Sequence, residues 1–229
     1  TRKENAASVK KLSDLKGKKI ATIRLGTADA IVRGGLKKEG IDWCKDVTIV
    51  ELKNPPAVIE AVKNGSVYAG VTWGPHDLRA EEAGLSVVLR SKDINPGHIC
   101  CRLIASLRKL NGRDDVYKRL VKSLIEAEEI VQNDHKKSVE IIAKWIKLDT
   151  ALVNKAFYSG HVTQDSDPNV KGAEFFWDFL KDAEFIKSDK NVSEYVVTDY
   201  YRAAIAELRK ENPKSEFYAK AEKTFKSRN

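Results

Sequence analysis

Residues 19–25 read KIATIRL, and the turn Gly26-Thr27 separates them from residues 28–39, ADAIVRGGLKKE. The first segment is rich in β-branched residues, which predicts a strand. The second segment repeats apolar residues at helical spacing on one face and is followed by Gly40, which predicts a helix and its end. A strand, a tight turn and a helix in this order form the first half of a βαβ unit. The stretch therefore predicts an α/β fold with a mostly parallel sheet.

The same alternation continues outward to residue 106. Further strands are predicted at residues 47–52 (VTIVEL), 67–73, 86–90 and 99–106, with helices at residues 54–63 and 75–83 between them. The second half is predicted to be mostly helical, with amphipathic helices at residues 116–131, 137–146, 150–158, 171–185, 199–208 and 216–225. Residues 1–11 are polar, and they are predicted to pack loosely.

The charge pattern argues against a nucleic-acid partner. The net charge is +8, from 41 Lys and Arg against 33 Asp and Glu, yet the basic residues alternate with acidic ones. No basic block is interleaved with aromatic residues, as a nucleic-acid surface would require. A mildly basic surface instead helps to collect an anionic ligand.

Neither the cysteines nor the sequence motifs favour a metal site or a catalytic site. Cys44, Cys100 and Cys101 include no CxxC pair, so neither a zinc ribbon nor a disulfide scaffold is predicted. His98 beside two thiols could hold zinc or copper, but buried cysteine more often serves as a small hydrophobe. No Walker lysine loop, GxGxxG, GxSxG or HExxH motif occurs. We therefore predict no metal, no cofactor and no enzymatic activity.

Ligands of open α/β sheets bind beyond the carboxyl ends of the strands. The strand-to-helix junctions at that edge supply the candidate ligand-binding residues, which are Gly26, Thr27, Ala28 and Asp29, then Asn54, then Trp73, Gly74, Pro75 and His76. His98, near the end of the α/β part, is a further candidate that would line a cleft.

Each junction has a functional and a purely structural interpretation. The amides before the first helix, with the Thr27 hydroxyl, favour an anion, but Thr27 or Asp29 would serve equally well as a helix cap. Asp29 would repel an anion unless its carboxylate points away. Trp73 offers an apolar wall, Gly74 leaves room and His76 adds a titratable donor; alternatively, Trp73 is buried in the core and His76 lies on the surface.

Several of these segments carry a family resemblance. Residues 14–21, DLKGKKIA, with Gly26-Thr27, the turn at residues 40–42 and the pair Trp73 and Pro75, resemble the nitrate/sulfonate/bicarbonate (taurine-type) substrate-binding proteins of ABC importers. The likeness is clear from residue 12 to residue 106 and looser in the helical half. The family has the type II periplasmic-binding-protein fold, so the resemblance implies two lobes that close on a small ligand.

The resemblance also implies a division of the chain. Residues 13–98 would form a complete α/β ligand-binding lobe, and residues 99–229 would return to the other lobe as a strand and helices. Residues 1–12 would be the crossover, with hinges near Ser13 and residues 95–98. The chain begins at Thr1, where the family has further strands, so we expect an incomplete first lobe. A missing N-terminal segment, self-association or a partner chain would complete it.

The function implied by the resemblance is that of an exported, periplasmic or extracellular membrane-associated protein. It would deliver a small anionic or polar organic solute, such as a sulfonate or nitrate, to an ABC permease. Thr27 and the amides of Ala28 and Asp29 would hold an oxyanion, Trp73 and His76 would orient the solute, and His98 would flank the hinge. Relatives often carry an acid at the position of Gly74, which leaves the ligand open.

Two alternatives share the fold. One is an enzyme resembling thiamine-pyrimidine-precursor synthases or a desulfinase, which would need a cysteine and a histidine within hydrogen-bond reach. The other is the effector domain of a transcription regulator, for which no helix-turn-helix is present in these residues.

Overall fold

The computed structural model describes residues 1–229, which divide into two compact units. The first comprises residues 1–98 and 176–189, and the second comprises residues 99–175 and 190–229. The first is α/β and the second is almost entirely helical, as the sequence predicts.

Three short strands form the sheet of the first unit: β1 (Lys19–Thr22), β2 (Thr48–Glu51) and β3 (Ala69–Gly70). The strand order is β2-β1-β3 and both pairings are parallel, which confirms the predicted parallel sheet. In register, Ile20 lies opposite Ile49 on one side and Ala69 on the other. The central strand therefore places its carboxyl end between those of its two neighbours.

Helices follow each strand of this unit. They are α1 (Thr27–Lys38), α2 (Pro55–Lys63), α3 (His76–Glu82) and α4 (Ser91–Ile94), preceded by 3-10 turns at Lys3–Ser8 and Leu12–Leu15. Because side chains alternate along a strand, β1 contributes to two apolar clusters. Ile20 joins Leu36 of α1 in one cluster, and Ala21 joins Val58 and Val62 of α2 in the other.

Two adjacent glycines allow α1 to pack closely on its neighbours. A Cβ atom on Gly34 would lie 2.4 Å from the ring of Phe179, and one on Gly35 would lie 2.4 Å from a methyl carbon of Leu12. Both distances are far below van der Waals contact, so the close approach depends on the absent side chains.

Three strand predictions need correction. Residues 67–73 form a strand only at Ala69–Gly70, and residues 86–90 and 99–106 form none. A strand requires a neighbour to complete its hydrogen-bond ladder. Leu85 makes a single antiparallel bridge with Arg2, while Leu103 and Ile104 are 62% and 89% exposed. The β-branched composition thus predicted strands for which the fold supplies no pairing partner.

The prediction that residues 1–11 pack loosely is wrong. The Ser86 amide donates to the carbonyl oxygen of Thr1 at 2.8 Å, and the Thr1 hydroxyl donates to the carbonyl oxygen of Tyr68 at 2.7 Å. Val9 is 2% exposed and belongs to the main apolar cluster of the unit. These residues are therefore an integral part of the α/β unit.

The second unit contains the remaining helices. They are α5 (Leu107–Leu110), α6 (Asp114–Asn133), α7 (His135–Ile146), α8 (Thr150–Tyr158), the first part of α9 (Val170–Asp182), α10 (Asp199–Glu211) and α11 (Glu216–Arg228), with a 3-10 turn at Val192–Tyr195. Ile125 of α6 packs with Ile205 and Leu208 of α10 and with Tyr218 and Phe225 of α11. No helix of the chain combines the length and the apolar character that a membrane crossing demands.

Candidate functional site

The carboxyl edge of the sheet carries the three predicted junctions. Each strand ends there, and α1 begins at Thr27, α2 at Pro55 and α3 at His76. Because β1 lies between β2 and β3, the structure brings the three junctions to one edge. Such an edge is where open α/β sheets bind small molecules.

The amino end of α1 is open to a ligand. Gly26 stands at the capping position and provides no side-chain cap, and the first amide to find an acceptor is that of Ala30, which donates to Gly26 at 3.0 Å. The amides of Thr27, Ala28 and Asp29 donate to no acceptor in the structure. Free amides at the positive end of a helix favour an anion.

The carboxylate of Asp29 does not oppose such an anion. The side chain is 2% exposed, and its oxygens accept hydrogen bonds from the Leu25 amide at 3.2 Å and from Arg33 Nε at 2.8 Å. Arg33 also donates to Glu51 at 2.9 Å and stacks 4.6 Å from the centre of the Trp43 ring. The charge of Asp29 is thus paired inside the unit and does not face a ligand.

Asn54 serves first as a helix cap. Its Oδ1 accepts from the Ala57 amide at 3.0 Å, and Pro55 occupies the first helical position. This arrangement is a strong helix start. It commits the side-chain oxygen of Asn54 to α2.

The junction after β3 presents an aromatic surface. Trp73 is 45% exposed, so it is not the buried core residue of the alternative interpretation. The His76 ring meets the Trp73 ring edge-on, with centroids 6.0 Å apart, and the His76 amide donates to the Trp73 carbonyl at 2.8 Å. The cis peptide bond Gly74-Pro75 lies between these two residues.

Polar atoms without partners concentrate around these junctions. Four buried atoms there lack a hydrogen bond: Thr22 Oγ1, Thr72 Oγ1, His76 Nδ1 and Asp77 Oδ1. Thr22 is the last residue of β1, and the other three follow β3. A buried polar group without a partner costs about 1–3 kcal/mol.

The sequence interpretation missed four residues at this edge: Thr22, Arg24, Thr72 and Asp77. A hydroxyl at the end of a predicted strand was the available signal for both threonines. Arg24, two residues before the cap residue Gly26, is 69% exposed, and its Nη1 lies 3.8 Å from Glu51 Oε2. The second carboxylate oxygen of Asp77 accepts from Arg90 at 3.0 Å, which leaves Oδ1 as an acceptor.

His76 is a neutral hydrogen-bonding group at neutral pH. Its burial, assisted by the nearby charge of Arg79, lowers its pKa, against a smaller opposite effect of Asp77. A neutral imidazole carries one donor and one acceptor nitrogen. His76 therefore offers a solute hydrogen bonds rather than a full charge.

This lowered pKa predicts a pH-dependent stability. Since the folded chain binds the His76 proton less readily than the unfolded chain, the free energy of unfolding should fall as pH drops below about 6.5. In His76→Gln this part of the decline should vanish, whereas the exposed His161→Gln should keep the wild-type profile. Urea unfolding between pH 5 and 7.5 measures it, and parallel curves for wild type and His76→Gln would contradict the assignment.

His98 and the paired cysteines lie elsewhere in the chain. His98 Nδ1 is 2.8 Å from the carbonyl oxygen of Asn95, and its ring packs at 5.9 Å from that of Phe176. Its place beside a cleft remains a prediction. Cys100 and Cys101 are exposed, so the interpretation of them as buried hydrophobes is wrong. No cluster of three or more metal-ligating side chains occurs in residues 1–229.

The fold matches that of solved periplasmic binding proteins. The aliphatic sulphonate-binding protein SsuA of Escherichia coli superposes with a TM-score of 0.66 at 16% identity, covering 84% of this chain and 67% of its own. The alkanesulfonate-binding SsuA of Xanthomonas axonopodis pv. citri, bound to MOPS, superposes with a TM-score of 0.64 at 19% sequence identity. The match covers 82% of this chain and 65% of that one. The ligand-binding component of an ABC-type import system of Staphylococcus aureus superposes with a TM-score of 0.66 at 17% sequence identity. The match covers 85% of this chain and 67% of that one.

The fold and the open sheet edge define the class: an α/β chain of the type II periplasmic-binding-protein kind. The profile of the NMT1-like family matches residues 1–147, and the chain belongs to that family. A Brucella abortus protein named "Putative binding protein" is 26% identical over 209 residues, covering 85% of this chain. The chain spans 64% of that relative's length. The family resemblance and the fold class inferred from the sequence are thereby confirmed.

Proposed function

We propose that the chain is the ligand-binding part of an exported solute-binding protein that delivers a small anionic or polar organic solute to an ABC permease. The observation that carries the proposal is the concentration of unpartnered polar atoms on the carboxyl edge of the sheet, next to the open amino end of α1. Membership of the NMT1-like family and the names of the structural relatives support it.

The anionic group of the solute binds at α1. The free amides of Thr27, Ala28 and Asp29 donate to an oxyanion, and the Thr27 hydroxyl adds a fourth donor. The exposed guanidinium of Arg24, two residues before Gly26, adds a positive charge near this helix end, which Glu51 at 3.8 Å partly offsets. Binding by backbone amides suits a sulfonate or nitrate, because several oxygens share the charge.

The rest of the solute lies against the junction after β3. The exposed face of Trp73 provides apolar contact, and neutral His76 with Asp77 Oδ1 provides hydrogen bonds. Gly74 leaves the space above Asp77 open, since a Cβ atom there would meet only Asp77 Oδ1, at 3.6 Å. These contacts bind and orient a solute without altering a covalent bond.

The incomplete lobe is part of the proposal. Leu103 and Ile104 lie exposed in a segment without strand partners, and the chain spans 64% of its Brucella relative. A further segment of the first lobe, from the same polypeptide or from a second copy, covers this apolar segment in the working protein. The enzyme alternative requires a thiol paired with a histidine, whereas His98 Nδ1 contacts the Asn95 carbonyl oxygen.

A thermal-shift panel of nitrate, short alkanesulfonates and pyrimidines tests the function. A solute that binds only the folded chain at a hundred times its dissociation constant adds about 2.7 kcal/mol of stability. The melting temperature should rise with one solute class for wild type. Trp73→Ala should weaken that solute's affinity by about tenfold or more, equivalent to about 1.4 kcal/mol.

Trp145→Ala provides the matched control, because Trp145 is an 81% exposed tryptophan on α7 of the second unit. It should keep the wild-type shift. If the solute raised the melting temperature of Trp73→Ala as much as that of wild type, the sheet edge would not be the binding site. If the solute were consumed in the same samples, the enzyme alternative would be favoured over the binding role.

A further inference from the structure

Two adjacent thiols stand together in the segment that follows His98. Cys100 and Cys101 are both exposed, and their sulfur atoms are 3.5 Å apart. Residues 99–106 contain no helix or strand, so no regular hydrogen-bond ladder holds their backbone. Neither residue belongs to the proposed solute site on the carboxyl edge of the sheet.

A cation lies beside this pair. Arg102 interacts electrostatically with Cys100, and its Nη1 donates to the carbonyl oxygen of Cys101 at 2.7 Å. Its Nε donates to the Pro168 carbonyl oxygen at 3.2 Å, which holds the guanidinium in place. The thiolate is the form of cysteine that attacks disulfides.

We propose that Cys100 and Cys101 form a redox-active vicinal dithiol that closes reversibly to a disulfide by exchange with a small disulfide such as oxidised glutathione. The Cys100 thiolate attacks one sulfur of oxidised glutathione and forms a mixed disulfide, which releases the first glutathione thiolate. The Cys101 thiolate then attacks Cys100 Sγ, which forms the Cys100–Cys101 bond and releases the second. The two protons lost by the cysteines pass to the two glutathione thiolates, so one disulfide is reduced as another forms.

Chain geometry makes this disulfide easy to reduce. Adjacent Cα atoms are about 3.8 Å apart across a trans peptide, whereas disulfides usually join Cα atoms about 4.4–6.8 Å apart. Ring closure must therefore distort the peptide between the two residues. A strained, exposed disulfide has an oxidising potential, which is typical of labile bonds rather than of structural ones.

The remaining cysteine is a built-in control. Cys44 is also exposed, but it has no neighbouring thiol, and its amide donates to Asp42 Oδ1 at 3.0 Å. It can take up one glutathione and cannot complete an intramolecular exchange. The same reaction mixture thus compares an isolated thiol with a paired one.

The experiment treats the full chain with oxidised glutathione, alkylates the free thiols and maps the peptides by mass spectrometry. The peptide with Cys100 and Cys101 should lose the mass of two hydrogen atoms and carry no glutathione, and reduced glutathione should restore both thiols. Cys44 should carry a mixed disulfide. In Cys101→Ser the exchange should stop with glutathione on Cys100, while Cys44→Ser should leave closure unchanged.

Two results would overturn the proposal. One is glutathione on both Cys100 and Cys101, or two alkylated thiols after oxidation, in a chain whose circular dichroism shows it to be folded. The other is a covalent dimer joined through these cysteines in place of the closed ring, seen on a non-reducing gel.

Discussion

Replacing Arg33 by leucine is expected to lower the free energy of unfolding by about 3–5 kcal/mol, because it leaves the buried carboxylate of Asp29 without its counter-charge. The Arg33 and Asp29 side chains are 9% and 2% exposed, and Nε lies 2.8 Å from Oδ1. The substitution also removes the hydrogen bond to Glu51 and the stacking on Trp43. Urea denaturation of wild type and Arg33→Leu measures the loss.

Arg24→Leu is the matched control for Arg33→Leu. Arg24 pairs with the same Glu51, but it is 69% exposed and 3.8 Å away, so its removal should have little effect on stability. The double variant Asp29→Asn with Arg33→Leu should recover part of the loss, because the buried charge is gone. Equal losses for Arg24→Leu and Arg33→Leu would show that the buried ion pair does not stabilise α1.

Replacing Ile125 by alanine is expected to destabilise the chain by about 2–5 kcal/mol, the range for truncation of a fully buried aliphatic side chain. Ile125 is 0% exposed and packs between α6, α10 and α11. The cost combines lost burial with the cavity that remains in a close-packed interior. Thermal or urea unfolding followed by circular dichroism measures the change.

Ile104→Ala makes the same chemical change at an 89% exposed position. A surface substitution of this kind should change stability by no more than about 0.5 kcal/mol. A loss comparable to that of Ile125→Ala would mean that Ile104 is covered in solution. Sedimentation of wild type would then distinguish a second copy, which depends on concentration, from packing within one chain.

The stability of the Asp29–Arg33 pair bears directly on the proposed site. The pair links the first two turns of α1, and Asp29 also ties them to the preceding turn by accepting the Leu25 amide at 3.2 Å. That anchoring fixes the direction of the free amides of Thr27 and Ala28. A preorganised donor set binds an anion without the entropic cost of ordering a loop.

Much of the candidate site followed from local sequence patterns. The junctions at Gly26, Asn54 and Pro75 were predictable because glycine, asparagine and proline mark helix starts through their own backbone and capping chemistry. Trp73 and His76 were predictable because a large aromatic side chain and a titratable side chain follow the end of a predicted strand. Thr22, Thr72 and Asp77 were not, since nothing local distinguishes a hydroxyl or carboxylate that has no partner from one that has.

The sequence by itself determined the alternation of strands and helices up to residue 83, the parallel sheet and the helical character of the second half, because hydrophobic period and turn residues act over a few neighbours. Only the tertiary structure decided that residues 86–90 and 99–106 form no strands, since pairing depends on distant residues. It also decided that the charge of Asp29 is paired with that of Arg33 and that Cys100 and Cys101 are exposed, because burial and charge pairing are properties of the packed chain.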